Sequence, residues 1–206
     1  MSAKVLLTGF DAFEGVAVNP SRHVVEALAG QVVSAVPIHA LVLPTVFDES
    51  RRQLEAALVA LRPRLVLALG AAPSRTAISV ERVAINIDDA RIADNAGRQP
   101  VDRPIVSGAP AAYFARLPIK AIVAELRRAN FAAEVSQSAG TFVCNHVFYA
   151  LMHALRRRAS VRAGFVHLPL PADAGDAARQ VDAVRIVLEV ALRGGDDLHV
   201  QGGAVD

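Results

Sequence analysis

Three side chains in this sequence have the type and setting to do chemistry: Cys144, His167 and Glu81. Cys144 lies in the run Ser138-Ala-Gly-Thr-Phe-Val-Cys-Asn-His, where a strand-like segment turns through Gly140 into a helix. A thiol at a helix start meets exposed backbone N–H groups and the positive end of the dipole, which favour the thiolate and could receive a developing oxyanion. The competing reading is a small buried hydrophobe, because Cys144, Phe148, Leu151 and Leu155 share one helical face. His167, in Gly164-Phe-Val-His-Leu-Pro-Leu-Pro, ends a strand that Pro169 and Pro171 stop, and imidazole can take a proton from a thiol near neutral pH. Glu81, in Ile78-Ser-Val-Glu-Arg-Val-Ala-Ile-Asn-Ile, shares an alternating apolar face with Val83, Ile85 and Ile87. A carboxylate there needs a partner. A histidine N–H would complete nucleophile, base and orienter, and an ion pair with Arg82 or Arg91 is the structural alternative.

Other chemistries are weaker. The turn Thr8-Gly-Phe-Asp-Ala-Phe-Glu-Gly-Val lacks the glycine spacing of a dinucleotide fingerprint or a P-loop. Cys144, His146, His153 and His167 do not make a metal set, since residues two apart on a helix face apart and His146 with His153 is incomplete. No cofactor and no metal are expected. His23, His39 and His199 have no reactive neighbours in sequence and read as surface residues.

The elements that must position these groups alternate in period. Residues 4–7, 32–43, 64–69, 133–136 and 161–168 read as strands, and 21–28, 47–61, 119–128, 145–158 and 176–192 as helices. Asn19-Pro20-Ser21 is a helix start, and Gly194-Gly195 a helix stop. Strand–helix alternation predicts a three-layer α/β/α sandwich with a largely parallel, mixed central sheet. Ligands of such sheets bind at the carboxyl ends of the strands. Residues 79–118 break the rhythm and read as an excursion of hairpins and loops. No repeat or linker appears, so residues 1–206 are expected to form a single domain, with 196–206 a loose tail.

Composition narrows the partners. The 206 residues are 53% hydrophobic and 20% charged, which excludes disorder. Lys and Arg number 22 against 20 acidic residues, and the basic residues are scattered. The one dense run, Arg156-Arg157-Arg158, sits where a helix should end and suits its dipole. Nucleic acid is therefore not an expected partner. No apolar stretch approaches a membrane span, and the N-terminus lacks the apolar run of a signal peptide. The single cysteine excludes an internal disulfide and suits a reducing cytoplasm.

Four blocks in order resemble the pyroglutamyl-peptidase I (pyrrolidone-carboxylate peptidase) family of cysteine peptidases, over about residues 4–192. They are Thr8-Gly-Phe-Asp-Ala-Phe-Glu-Gly with Asn19-Pro-Ser; Ile78-Ser-Val-Glu-Arg-Val-Ala-Ile-Asn followed by Asp89-Ala-Arg-Ile-Ala-Asp-Asn; Ser138 through His146; and Phe165-Val-His-Leu-Pro. The resemblance implies hydrolysis of an N-terminal pyroglutamyl residue from peptides through a thioester. It assigns Cys144 as nucleophile, His167 as base then acid, and Glu81 as orienter. It also implies a ring pocket from Phe10, Phe13, Phe142 and Val143, no cofactor, a cytoplasmic setting and a homotetramer. Arg91 is a candidate to polarise the scissile carbonyl, or else part of an ion pair.

The ring is an uncharged lactam, so its pocket needs apolar walls and a few hydrogen bonds. The sequence departs from the family after Gly70, where Gln-Ala-Gly-Gly-Arg is usual and Ala71-Ala-Pro-Ser-Arg75 stands, and at Ala12 and Glu14 in the opening loop. The departure at Ala71 keeps a related amide hydrolase with another acyl specificity in play. An inactive member serving as a binding protein is a separate alternative, against which intact Glu81, Cys144 and His167 count. A metal-dependent hydrolase is more distant.

Overall fold

A computed structural model describes residues 3–13 and 18–202. Glu14 and Gly15 of the opening block and residues 203–206 of the tail lie outside the described residues. In chain order the elements are β1 (Val5–Phe10), α1 (Pro20–Leu28), β2 (Val32–Val33), β3 (Val36–Leu43), α2 (Phe47–Leu61), β4 (Leu65–Ala71), β5 (Ile78–Glu81), β6 (Val83–Ile85), β7 (Ala112–Phe114), α3 (Ile119–Arg128), β8 (Ala133–Ser136), α4 (Val143–Ala154), β9 (Arg162–Leu168) and α5 (Ala174–Arg193).

Seven strands make a mixed sheet in the order β2-β3-β1-β4-β9-β5-β8. β3, β1, β4 and β9 run parallel, whereas β5 and β8, parallel to each other, oppose β9. Every residue of β1 and β4 is buried, as a strand covered on both faces must be. Val5, Leu7, Leu65 and Leu67 pack under α1, α3 and α5. Leu6, Val66 and Phe165 pack under α2 and α4. The chain leaves β1 for β3 on one side and returns to β4 on the other. This puts a topological switch point, and hence a crevice, at the carboxyl ends of β1 and β4.

Local chemistry explains most boundaries. Asn19 caps α1 by accepting from Ser21 N–H, with Pro20 in the first helical position. The segment 32–43 is two strands, because Ser34 and Ala35 both take positive φ (47° and 61°) and fold it into a tight hairpin. α2 lacks a side-chain cap of its own, and the Asp94 carboxylate accepts from Phe47 N–H in its place.

Three expectations need correction. Glu81 does not continue a strand with Val83, Ile85 and Ile87. The chain bends at Arg82, so β5 joins the central sheet while β6 pairs with β7 in a separate ribbon. α4 ends at Ala154 rather than Arg158, leaving the three arginines just past the helix. The described part of the tail is tied down: the Asp197 carboxylate accepts from Lys120 and Ala121 N–H, and Gly202 C=O accepts from Arg82. Among the described residues no helix is long and apolar enough to cross a membrane.

Candidate active site

The crevice holds a cavity of about 280 Å³. Phe10, at the end of β1, and Ala71, at the end of β4, line it with His167, Cys144, Val143, Phe142, Phe13 and Arg91. Of the candidate triad and ring-pocket residues, all line this cavity except Glu81, which stands behind His167.

Cys144 is placed by the turn after β8. Gly140 there adopts φ +76°, a left-handed conformation that glycine takes without strain. Thr141 Oγ1 donates to Asp89 C=O, and Asp89 N–H to Thr141 C=O, stitching the turn to the segment after β6. α4 then starts at Val143 with Phe142 as N-cap, extended and without a side-chain hydrogen bond to the helix. A Ser or Asp cap would consume a first-turn N–H. Phe142 leaves the N–H groups of the first turn to whatever enters the cavity. The sulfur lies over Gly70, where a Cβ would fall 2.9 Å from Cys144 Sγ and 2.8 Å from the Phe165 ring.

His167 and Glu81 are placed by sheet register. Gly70 pairs with His167 across β4 and β9, and Ser79 pairs with His167 across β9 and β5. Glu81 lies two residues beyond Ser79 on the same face, within diagonal reach of the imidazole. His167 Nδ1–H donates to Glu81 Oε1 at 2.7 Å. A carboxylate only accepts, so the proton sits on Nδ1 and Nε2 is left as the basic nitrogen. Phe165 packs on the imidazole at a centroid distance of 4.8 Å.

Glu81 is fully buried, and its arginine partner is neither Arg82 nor Arg91. Arg75 donates from Nη1 to the same Oε1 at 2.6 Å and from Nη2 to Ser138 C=O at 2.8 Å. Arg82 points to the tail, as strand alternation from Glu81 requires, and exposed Arg91 stands at the cavity rim.

The thiol behaves differently from the helix-start expectation. Desolvation by burial, then the Glu81 charge, push Cys144 from an ordinary 9.0 up to about 12, with Arg75 opposing. That rise corresponds to about 4 kcal/mol, more than the roughly 2 kcal/mol a helix terminus supplies at most. Cys144 keeps some exposure to the cavity, and the direction favours the neutral thiol in the empty site. Attack then requires a base.

The other histidines lie elsewhere. His146, next but one to Cys144, is buried and donates from Nδ1 to Asp88 at 2.9 Å, beside a separate cavity. His153 meets the Tyr113 hydroxyl at 3.0 Å. His23 and His199 are exposed, and His39 is half-buried. Among the described residues no group of three His, Cys, Asp or Glu is placed to hold a metal ion.

Asn19, Thr45, Asp89, Ile92, Ala139 and Thr141 also line the cavity, without having been marked from the sequence as site residues. Thr45 carries no signal in sequence, yet its N–H and Oγ1 donate to Asp11 Oδ1, fixing the opening loop beside it. Asn95 donates to the same Asp11 oxygen. Within the aromatic wall Phe13 is tilted against Phe142 at 6.5 Å, and Phe47 braces Phe142 from outside, edge-on at 5.5 Å.

Known proteins resemble this chain over nearly its whole length. The sequence profile of the pyroglutamyl peptidase family matches residues 3–194. The chain is 54% identical to pyrrolidone-carboxylate peptidase of Klebsiella pneumoniae, over 98% of this chain and 99% of that protein. It is also 54% identical to pyrrolidone-carboxylate peptidase 1 of Ralstonia nicotianae, over 97% of each. Among solved structures, pyroglutamyl peptidase I of Bacillus amyloliquefaciens superposes with a TM-score of 0.91 at 41% identity, covering 96% of this chain and all of that one. Pyrrolidone carboxyl peptidase of Thermococcus litoralis superposes with a TM-score of 0.92 at 32% identity, covering 97% and 99%. A fold, a cavity and a whole-length likeness thus converge, and the chain belongs to the pyroglutamyl peptidase family.

Proposed function

We propose that Cys144, His167 and Glu81 carry the family's reaction in this chain, the removal of N-terminal pyroglutamate from peptides. The observation that carries this reading is the line from Glu81 Oε1 to His167 Nδ1, with the Cys144 sulfur over the glycine that pairs with His167. His167 Nε2 takes the thiol proton as Sγ adds to the pyroglutamyl carbonyl carbon. The oxyanion is met by the Cys144 backbone N–H and its first-turn neighbours. His167 returns the proton to the leaving amine, so the C–N bond breaks and a thioester remains. Water then gives a proton to His167 as its oxygen attacks the thioester. Free pyroglutamate leaves and the thiol is restored.

The cavity supports the substrate side. About 280 Å³ is small for a binding site, and walls from Phe10, Phe13, Phe142 and Val143 suit one uncharged ring rather than a charged N-terminus. Arg91 at the rim is placed to polarise the carbonyl. The chain works without a cofactor, in the cytoplasm, where its thiol stays reduced. Its assembly is a homo-oligomer, tetrameric by the resemblance. Exposed Val101 and Phe114 offer apolar surface for it.

A second reading is favoured by one feature: Ala71 and Pro73 line the cavity where the family usually offers a glutamine and a glycine. Without that polar side chain the acyl specificity shifts. Release of a fluorophore from a pyroglutamyl amide, with an alanyl amide as control and Cys144→Ala beside the wild type, tests both readings. Pyroglutamyl cleavage that the mutant abolishes supports the first. An inactive wild type whose Cys144 still labels with an acyl-type inhibitor supports the second. Full activity in Cys144→Ala overturns both.

A further inference from the structure

We propose that Arg75 is a positioning residue for this reaction: its fixed positive charge holds Glu81 ionised and His167 neutral, so that the imidazole is free to accept the Cys144 proton. This rests on the assignment of those three residues above. Glu81 is fully buried, and one oxygen, Oε1, accepts from both His167 Nδ1 (2.7 Å) and Arg75 Nη1 (2.6 Å). Among the described residues its other oxygen has no partner.

A carboxylate so placed, with only a neutral imidazole to donate to it, has two ways to shed its charge. It can bind a proton, and then it no longer holds the ring. Or it can draw a proton onto the imidazole, and an imidazolium cannot act as a base. A guanidinium at contact distance works against both. It stabilises the carboxylate directly, and it repels a second positive charge on the same carboxylate. Arginine suits this because it does not give up its own proton.

The geometry ties this charge to the walls of the site. Nη2 donates to Ser138 C=O, at the start of the turn that runs through Ala139 and Phe142 to Cys144. The Arg75 N–H donates to Ala72 C=O, closing the loop that carries Ala71 and Pro73. The same guanidinium opposes the upward push on the thiol. The other charged or titratable groups around His167 do not duplicate it. Cys144 is neutral. Glu134 on β8 is engaged by Ser79 Oγ at 2.8 Å. Asp89 and Arg91 are exposed at the rim of the cavity.

The test compares Arg75→Met, Arg75→Gln and Arg75→Lys by the pH profile of pyroglutamyl-amide cleavage. The imidazole titration of His167 is followed in parallel by NMR in a Cys144→Ala background. In Met and Gln the acid limb of kcat/KM moves to higher pH by about one unit or more. Activity at pH 6 falls at least tenfold and recovers as pH rises, with KM little changed. Lys keeps the limb near its wild-type position. Gln can still donate a hydrogen bond without the charge, so a wild-type limb in Gln overturns the proposal. So does a loss of activity that is uniform across pH, or one confined to KM. If Cys144→Ala stays active, the reacting set is misassigned. The NMR titration still reads whether Arg75 sets the charge on the Glu81–His167 pair.

Discussion

Gly70 forms the floor under the Cys144 sulfur: a Cβ at position 70 would fall 2.9 Å from Sγ and 2.8 Å from the Phe165 ring. Real Cβ atoms do not approach so closely, and the ring behind is locked in the core, so the thiol must move. In Gly70→Ala, Sγ is displaced from its place over the residue that pairs with His167. Misplacement of about 1 Å costs about a hundredfold in rate, so kcat/KM should fall by at least that much while the far-UV spectrum stays native. Activity within a few-fold of wild type would mean that attack does not occur from this position.

Burial and the Glu81 charge push the Cys144 thiol up to about 12, which fixes the pH dependence of its labelling. A raised thiol pKa keeps the protonated form above the ordinary range, and only the thiolate reacts. The thiolate fraction in the empty site therefore grows tenfold per pH unit across pH 7–10, without the levelling near pH 8.5 of a free cysteine. Iodoacetamide alkylation of the unliganded protein should follow that straight line. A plateau below pH 8 would reveal a thiolate–imidazolium pair formed before substrate binds, in place of base-assisted attack.

What is legible in the sequence is what local chemistry decides. α1 can be read because Asn19, Pro20 and Ser21 form its cap within three residues, and β1 and β4 because strands buried on both faces are unbroken apolar runs. The candidate residues Glu81, Cys144 and His167 stand out because each lies at the end of a strand or the start of a helix. What distant segments decide is harder to see. The α2 cap comes from Asp94, 47 residues away. The Ser34–Ala35 hairpin uses neither Gly nor Asn. β5 is four residues long and takes its direction from pairing with β9. Arg75 is the instructive case. Alternation already turns Arg82 away from Glu81, but only the loop between β4 and β5 decides between Arg75 and Arg91.

Asn145 links α4 to the segment that carries Asp88 and Asp89. Its Oδ1 accepts from Ile85 N–H at 3.0 Å, and its Nδ2 donates to Ile85 C=O at 2.9 Å and Ile87 C=O at 3.0 Å. The residue is fully buried, so Asn145→Ala removes three hydrogen bonds and leaves their partners without water. At about 1 kcal/mol each, the loss is about 3 kcal/mol, or roughly 6–12 °C in Tm for a chain of this size. Calorimetry reads it directly. A fall of less than 2 °C would show that solvent replaces these bonds.

The substrate ring should be held more weakly than a polar pocket allows, because Ala71 offers it only a methyl group. Ala71 lies at the end of β4, almost fully buried against the cavity, opposite Leu168 in the register that also places His167. A lactam has one N–H and one C=O to satisfy, and a buried group left unpaired costs about 1–3 kcal/mol. Ala71→Gln supplies a donor and an acceptor at that position. For pyroglutamyl substrates KM should fall at least fivefold with kcat little changed, since the added contact serves ground and transition states alike. A substrate lacking the ring carbonyl should gain less, which separates a hydrogen bond from mere filling of space. If Gln instead raises KM for every substrate, the site is already complete, with its polar contacts supplied from Asn19, Thr45 or the backbone beside them. The altered loop would then leave ring recognition intact, and the reading of a shifted acyl specificity would fall with it.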